Sequence, residues 1–334
     1  MQVFIHSGMH KTGTSSFQTA LRDNSERLLA DRTRAFTPAD RMPVEQMGFP
    51  KDYVAEMIST AAAEGTKKLI ISLEAISLFS PEGLSRLRAE IGPNPARFIV
   101  VFRHWCNYLP SRWIQNCKRR DSASFFRFME HTGSNEPWMR FDRILTDARR
   151  AGFDEVVPIS FEGSRGTLLE ELCKACEIDI SPENLTANKS PAVATVEKVR
   201  LFNAVRSANS NLPMDELLTR LTDGRQVKDF FDQGATVSQV LEMMPSLDMA
   251  LDRKIDESRA EMVLVPERFS PLNHQLEEAA GKVLFSDIEP HRGFYSTLEF
   301  DDLEEDLVAE MRLGLRRVTP GFLSNVRRKL RARF

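Results

Sequence analysis

The first half of the chain alternates short apolar runs with longer segments whose apolar residues recur at helical spacing. The short runs predict buried strands, at Gln2–His6, Leu69–Leu73, Phe98–Phe102 and Val156–Ser160. The longer segments predict helices, from about Ser15, over 51–64, from the Ser80-Pro81 start signal, and over 107–119, 123–131 and 137–150. Pro110 fits the helix over 107–119 only if it lies in the first turn. Residues 31–50 contain three prolines and little periodicity, so they are predicted to be a loop.

Strands that are separated by helices indicate a parallel sheet wrapped by helices, the doubly wound α/β class. Pro158 cannot donate to a strand ladder, so the fourth strand is expected at an edge of the sheet. From about residue 190 the strand signals fade and helical patterns dominate. The sequence therefore predicts an α/β core over residues 1–180 and a mainly helical extension over 181–334 that packs on it.

Composition restricts the class of protein. The 334 residues are 42% hydrophobic and 28% charged, which is typical of a globular chain. A net charge of −3 argues against a dedicated nucleic-acid binder. No apolar run approaches the roughly 18 residues of a membrane span, and the start resembles a strand rather than a signal peptide. The C-x-x-C pair Cys173 and Cys176 lies in a helical pattern and is predicted to be buried thiols in a reducing, cytoplasmic compartment.

A strand–loop–helix unit at the start carries the strongest chemical signal. In the loop GMHKTGTSS, Gly8 and Gly13 have the spacing of the nucleotide-binding pattern G-x-x-x-x-G-K-[ST]. Thr14 occupies the lysine position of that pattern, and Lys11 lies inside the loop instead. Backbone amides and hydroxyls at the start of a helix favour an anion, so this loop is predicted to bind a phosphate.

The other strand ends argue against a magnesium nucleotide triphosphate. In that class a strand-end aspartate supports the metal, whereas here no predicted strand ends in aspartate and Phe98–Phe102 runs into Arg103. A guanidinium at the carboxyl edge of a parallel sheet suits a second, terminal phosphate, because it offers paired hydrogen bonds. No metal ligand set is predicted.

These segments resemble a known family. GMHKTGTSS is similar to the 5′-phosphosulfate loop of sulfotransferases that use 3′-phosphoadenosine 5′-phosphosulfate (PAPS). FRHWCNYLPSRWIQNCK is similar to their 3′-phosphate motif, in which Arg103 and Ser111 match the two phosphate-binding positions. LIISLEAIS is similar to a strand of bacterial members with a glutamate near the acceptor. The resemblance covers roughly the first half of the chain and implies a P-loop-like fold.

The resemblance also implies roles for individual residues. Catalysis would use Lys11 at the departing 5′-phosphate, Glu74 as the base that takes the acceptor proton, and His10 as a donor to the sulfonate or a rival base. His104, the other rival base, is expected to pack near the strand end. The donor PAPS, and its product PAP, would be bound without a metal by Gly8, Lys11, Thr12, Gly13, Thr14, Ser15, Ser16, Arg103 and Ser111.

The sequence leaves alternatives for the acceptor, for the class of protein and for contact with a membrane. The resemblance suggests a hydroxyl or amine acceptor, such as a carbohydrate or lipid-linked glycan, bound by the helical extension. The alternatives are a P-loop kinase or nucleotide hydrolase, and a non-catalytic protein that binds PAP or PAPS. The basic amphipathic tail over 321–334 suits peripheral contact with the inner face of a membrane, or packing against the acidic stretch 299–310.

Overall fold

The described residues form seven strands, twelve α-helices, several short 3-10 helices and a helical segment over 305–315. A computed structural model describes residues 1–9, 12–40, 42–44, 48–119, 121–132, 137–164, 166–180, 192–207 and 233–315. The strands are β1 Gln2–Gly8, β2 Thr33–Phe36, β3 Lys68–Ser72, β4 Ala96–Phe102, β5 Glu155–Ser160, β6 Arg259–Leu264 and β7 His291–Ser296. The helices are α1 Thr14–Asp23, α2 Ser25–Ala30, α3 Tyr53–Ala63, α4 Pro81–Ile91, α5 Trp105–Arg119, α6 Phe125–His131, α7 Phe141–Arg150, α8 Leu168–Ala175, α9 Val193–Ser207, α10 Gln233–Met243, α11 Pro245–Glu257 and α12 Ser270–Ala280.

The chain divides into two compact units that interleave along the sequence. The first unit comprises Met1–Tyr108, Ser134–Asn188 and Val265–Pro290, and the second comprises Leu109–Gly133, Lys189–Leu264 and His291–Phe334. The sequence suggested consecutive segments that meet at residue 180. Contacts instead assign residues 265–290 to the first unit and residues 109–133 to the second.

The first unit is built on a five-stranded parallel sheet, which agrees with the predicted α/β class. Its strand order is β2-β3-β1-β4-β5, and every neighbouring pair runs parallel. In this register Val100 of β4 lies opposite Pro158 of β5. Since β5 is an edge strand, the expected position of Pro158 at an edge is confirmed.

Helices cover this sheet because both of its faces are apolar. On one face Phe4 of β1 and Ile99 of β4 share a core with Phe17 of α1 and Leu172 of α8. On the other face Phe102 of β4 stacks on a ring of α7, with 6.2 Å between the ring centroids. Burial on both faces explains the nearly continuous apolar runs that predicted β1, β3 and β4.

The structure differs from three local predictions. The segment predicted as a loop over 31–50 contains β2, a four-residue edge strand. The helix after the first loop is divided at Asn24, although Leu28 beyond the break still packs in the same core. The helix α5 begins two residues before the expected start, so Pro110 lies inside it rather than in its first turn.

The predicted burial of Cys173 and Cys176 and the predicted helix start at Ser80-Pro81 are confirmed. Cys173 and Cys176 are buried free thiols, and burial raises the pKa of Cys173 to about 11. A thiol held protonated in this way is a poor nucleophile. At the start of α4, the Ser80 hydroxyl accepts a hydrogen bond from the amide of Gly83 at 3.0 Å, with Pro81 in the first helical position.

The second unit is largely helical but also contains a two-stranded antiparallel sheet that the sequence did not reveal. Residues 305–315 form a further helical segment, which shares one core with α9, α10 and α11 through Phe202, Val240, Leu251 and Met311. The strands β6 and β7 pair antiparallel, with Met262 opposite Gly293.

A buried ion pair lies in this second unit. The Arg200 and Glu197 side chains are 0% and 1% exposed, and Arg200 Nε lies 2.5 Å from Glu197 Oε2. Arg200 also donates to the Leu298 carbonyl at 2.5 Å, while Glu197 accepts from the Ser296 amide at 3.0 Å. Burial raises the pKa of Glu197, although Arg200 acts in the opposite direction. Each buried charge is therefore stabilised by its partner and by these hydrogen bonds in place of water.

Replacing Glu197 by alanine is expected to destabilise the protein by about 3 kcal/mol or more, because it leaves a buried guanidinium without its counter-charge. The control is Glu257→Ala, which breaks an exposed pair with Arg253 and should cost about 0.5 kcal/mol or less. Urea denaturation of both variants measures the difference. Equal losses would contradict the importance of the buried pair.

Candidate functional site

The candidate site lies at the carboxyl edge of the parallel sheet, beside its central strand. The chain leaves β1 toward β2 on one side and later reaches β4 on the other, so the winding direction changes at β1. Open α/β sheets bind ligands at such a switch point. The Met9 amide donates to the Val101 carbonyl of β4 at 3.2 Å, which holds the start of the loop against that strand.

The first glycine of the loop leaves space for two threonine hydroxyls. A Cβ atom at residue 8 would lie 2.5 Å from Thr14 Oγ1 and 2.8 Å from Thr12 Oγ1, closer than real contacts allow. Thr12 Oγ1 donates to the Met9 carbonyl at 2.6 Å and lies 3.3 Å from Thr14 Oγ1. Both threonines are buried. The structure thus brings together Gly8, Thr12 and Thr14, three of the residues predicted to bind the donor.

The second glycine starts α1. Gly13 has φ 74°, and a Cβ atom there would lie 2.8 Å from Leu168 Cδ2 and 3.6 Å from Phe161 Cε2. Among the described residues, no side chain caps this helix start. The first amides of a helix favour an anion when no cap satisfies them. Ser15 is exposed and Ser16 half-buried in the same first turn.

Arg103 follows β4 and lies against the aromatic ring that also borders the loop. Its guanidinium carbon is 5.0 Å from the centroid of the Phe161 ring. Burial lowers the pKa of Arg103 from its ordinary value, while the neighbouring Glu162 acts to raise it. An arginine stays protonated despite such a shift. The Phe161 ring therefore lies beside both Arg103 and Gly13, the residue at which α1 starts.

Glu162 belongs to the site but was not found from the sequence. Its Oε1 lies 3.7 Å from Arg103 Nε, and the two side chains are 16% and 20% exposed. The same carboxylate accepts from the His104 amide at 3.0 Å and from Asn107 Nδ2 at 3.1 Å. Burial raises the pKa of Glu162, and these hydrogen bonds and Arg103 oppose the shift. An acidic residue two positions after the predicted strand β5 was the only available signal.

The remaining predicted residues have separate positions. Glu74 is half-buried in the first turn of the 3-10 helix Glu74–Leu78, and the adjacent Leu73 amide donates to the His6 carbonyl of β1 at 2.9 Å. Ser111 is half-buried within α5, in the part assigned to the second unit. His10 and Lys11 lie outside the described residues, as does the predicted basic helix over 321–334.

Two histidines near the site are buried and neutral. His6 Nδ1 lies 2.8 Å from Ser72 Oγ, and burial lowers the pKa of His6 to about 3. The His104 ring packs edge-on against Phe285, with centroids 5.2 Å apart, and burial lowers its pKa to about 4. The expectation that His104 packs at the strand end is confirmed.

Comparisons with known proteins give no family for this chain: no family model matches it, and no curated protein shows significant similarity. Within the described ranges, no helix combines the length and apolar character needed to cross a membrane. The same ranges contain no cluster of three or more histidine, cysteine or acidic side chains suited to a metal ion.

Substituting alanine for Gly13 tests the loop geometry, with Gly65→Ala as the matched control. Gly65 has nearly the same φ, 75°, but a Cβ atom there meets nothing within 4 Å. The control should cost about 1 kcal/mol for the left-handed backbone. Gly13→Ala should cost about 1–3 kcal/mol more, because its methyl group displaces Leu168. Chemical denaturation measures both, and equal losses would contradict the close contact.

Proposed function

We propose that this chain is a PAPS-dependent sulfotransferase of P-loop-like fold, which moves a sulfuryl group to a hydroxyl or amine acceptor. The proposal is supported above all by one juxtaposition. Phe161 borders both Gly13, where the uncapped helix starts, and Arg103, the cation at the end of the adjacent strand. Two anion-favouring features on either side of one ring fit a nucleotide with phosphates on both the 5′ and 3′ positions of its ribose.

The loop residues would hold the 5′-phosphate of the donor. An anion would bind there better than a neutral ligand, because the N-terminus of a helix carries partial positive charge. The donors would be the amides of the first turn of α1 and the Thr14 hydroxyl. The Thr12 hydroxyl donates to Met9, so its contribution is to shape the loop. Arg103 and Ser111 would hold the 3′-phosphate and thereby orient the nucleotide from a distance.

Transfer would proceed by in-line displacement at sulfur. The bond from sulfur to the phosphate oxygen breaks while a bond from sulfur to the acceptor oxygen forms, and PAP leaves. Lys11 would neutralise the charge that develops on the departing phosphate. The Glu74 carboxylate would take the acceptor proton, with His10 as the rival base. The acceptor class we propose is a carbohydrate or lipid-linked glycan.

Thermal denaturation with nucleotides tests the class of ligand. PAP without metal is expected to raise the melting temperature, since a ligand at about 100 times its Kd stabilises the native state by about 2.7 kcal/mol. ATP with Mg²⁺ and GTP with Mg²⁺ are the comparison ligands. Stabilisation by ATP with Mg²⁺ but not by PAP would favour the kinase or hydrolase alternative and reject this proposal.

Two substitutions separate chemistry from binding. Lys11→Ala is expected to lower kcat by roughly 100-fold or more, because the lysine would act mainly on the transition state. Arg103→Ala is expected chiefly to raise KM for PAPS, because the arginine would hold a remote phosphate. Sulfate transfer from labelled PAPS to a panel of glycans, lipids and phenols supplies the assay.

Full activity of Lys11→Ala would contradict the proposed mechanism. Binding of PAP without any transfer to the panel would favour the non-catalytic alternative.

A further inference from the structure

The carboxylate of Glu162 is held rigidly next to the proposed phosphate-binding arginine. One oxygen accepts from the His104 amide at 3.0 Å, and the other accepts from Asn107 Nδ2 at 3.1 Å. Both donors lie at the start of α5 and fix the carboxylate independently of Arg103. The 3.7 Å separation from Arg103 Nε is too long for a hydrogen bond, so the interaction between the two side chains is mainly electrostatic.

Arg103 and Glu162 therefore place opposite charges next to each other at this edge. Arg103 contributes one positive charge and Glu162 one negative charge, in a partly buried position where salt screens weakly. Arg103 has five N–H donors, so contact through Nε does not prevent the same side chain from binding an oxyanion. Any anion bound there also lies close to the fixed carboxylate and is repelled by it.

We infer that Glu162 is the built-in counter-charge of Arg103, which weakens anion binding at this edge and makes occupancy depend on the additional contacts of the loop. This inference rests on the proposed donor site. A single sulfate or phosphate ion would gain little from an arginine whose charge is offset by a neighbouring carboxylate. A nucleotide that also reaches the loop would bind, and its product would leave more readily than from an uncompensated arginine.

The alternative is that Glu162 assists anion binding by orienting Arg103. The arginine is already placed by its contact with Phe161, at 5.0 Å from the ring centroid, so orientation does not depend on the carboxylate alone. Repulsion between two anions a few ångströms apart in a partly buried site changes affinity by about tenfold or more. Electrostatic repulsion is thus expected to exceed the loss of orientation.

Glu162→Gln tests the inference because glutamine keeps the shape and one acceptor oxygen while removing the charge. The side-chain amide of Asn107 can rotate to accept from the new NH₂ group, so the local hydrogen bonds can be kept. Isothermal titration is expected to show roughly tenfold tighter binding of PAP. In an Arg103→Ala background the same substitution should still tighten binding of PAP, because the carboxylate repels a nearby anion whether or not the arginine is present.

A second variant and a matched control guard against misfolding. Asn107→Lys places a cation beside the carboxylate and should also tighten binding of PAP. Glu155→Gln removes one of two carboxylate partners of Arg97 at the opposite ends of β4 and β5, where Arg97 Nε and Glu155 Oε2 are 2.5 Å apart. That change should leave binding of PAP unaltered. A purely structural role for Glu162 predicts no gain in affinity for any variant.

Sulfate ion is titrated in parallel, because it tests the charge balance without the proposed nucleotide. Tighter sulfate binding by Glu162→Gln, with no binding of PAP to any form, would reject the proposed function and support the counter-charge. Unchanged or weaker binding of both probes by Glu162→Gln and Asn107→Lys would overturn the inference.

Discussion

The lack of space for a side chain at residue 8 is the constraint on which the candidate site depends. Two threonine hydroxyls occupy the volume where a Cβ atom would project, at 2.5 and 2.8 Å from its position. The chain can therefore turn tightly after β1, with Thr12 bonded back to Met9, and start α1 at the left-handed Gly13. The turn directs the N-terminus of α1 to the edge where the parallel strands end. Glycine at both positions is required by geometry and not by flexibility.

The second element of the site follows from the pairing of β4 with β5. Arg103 and Phe161 come one residue after their strands, and the Phe161 amide donates to the Phe102 carbonyl at 2.8 Å. This register brings the Phe161 ring against the Arg103 guanidinium. It also places the Glu162 carboxylate next to the first residues of α5. Burial acts against both charges, since it lowers the pKa of Arg103 and raises that of Glu162. Their proximity offsets part of this cost, which explains why two charged side chains persist at a largely covered edge.

Much of this arrangement could be predicted from the sequence, and the exceptions have physical reasons. Strands buried on both faces give apolar runs, which revealed β1, β3 and β4, whereas β2 is four residues of mixed polarity among prolines. The two-stranded sheet of β6 and β7 was missed because its strands are partly exposed and contain residues such as Arg259 and Gly293. Glycine spacing revealed the loop. Glu162 was missed because an acidic residue after a strand has no distinctive pattern, and its partners are 55–59 positions away in the sequence.

The two halves of the site differ in how they would hold an anion. The amides at the start of α1 act over the first turn of the helix and depend on the exact position of the ligand. The charges of Arg103 and Glu162 act over a longer distance but largely cancel. Such a division would suit a reaction in which the site must orient the donor but release the product. Binding that is equally strong for substrate and transition state does not raise kcat. Selectivity would then come from the geometry of the glycine loop, and the strand-end arginine would adjust the strength of binding through its compensated charge.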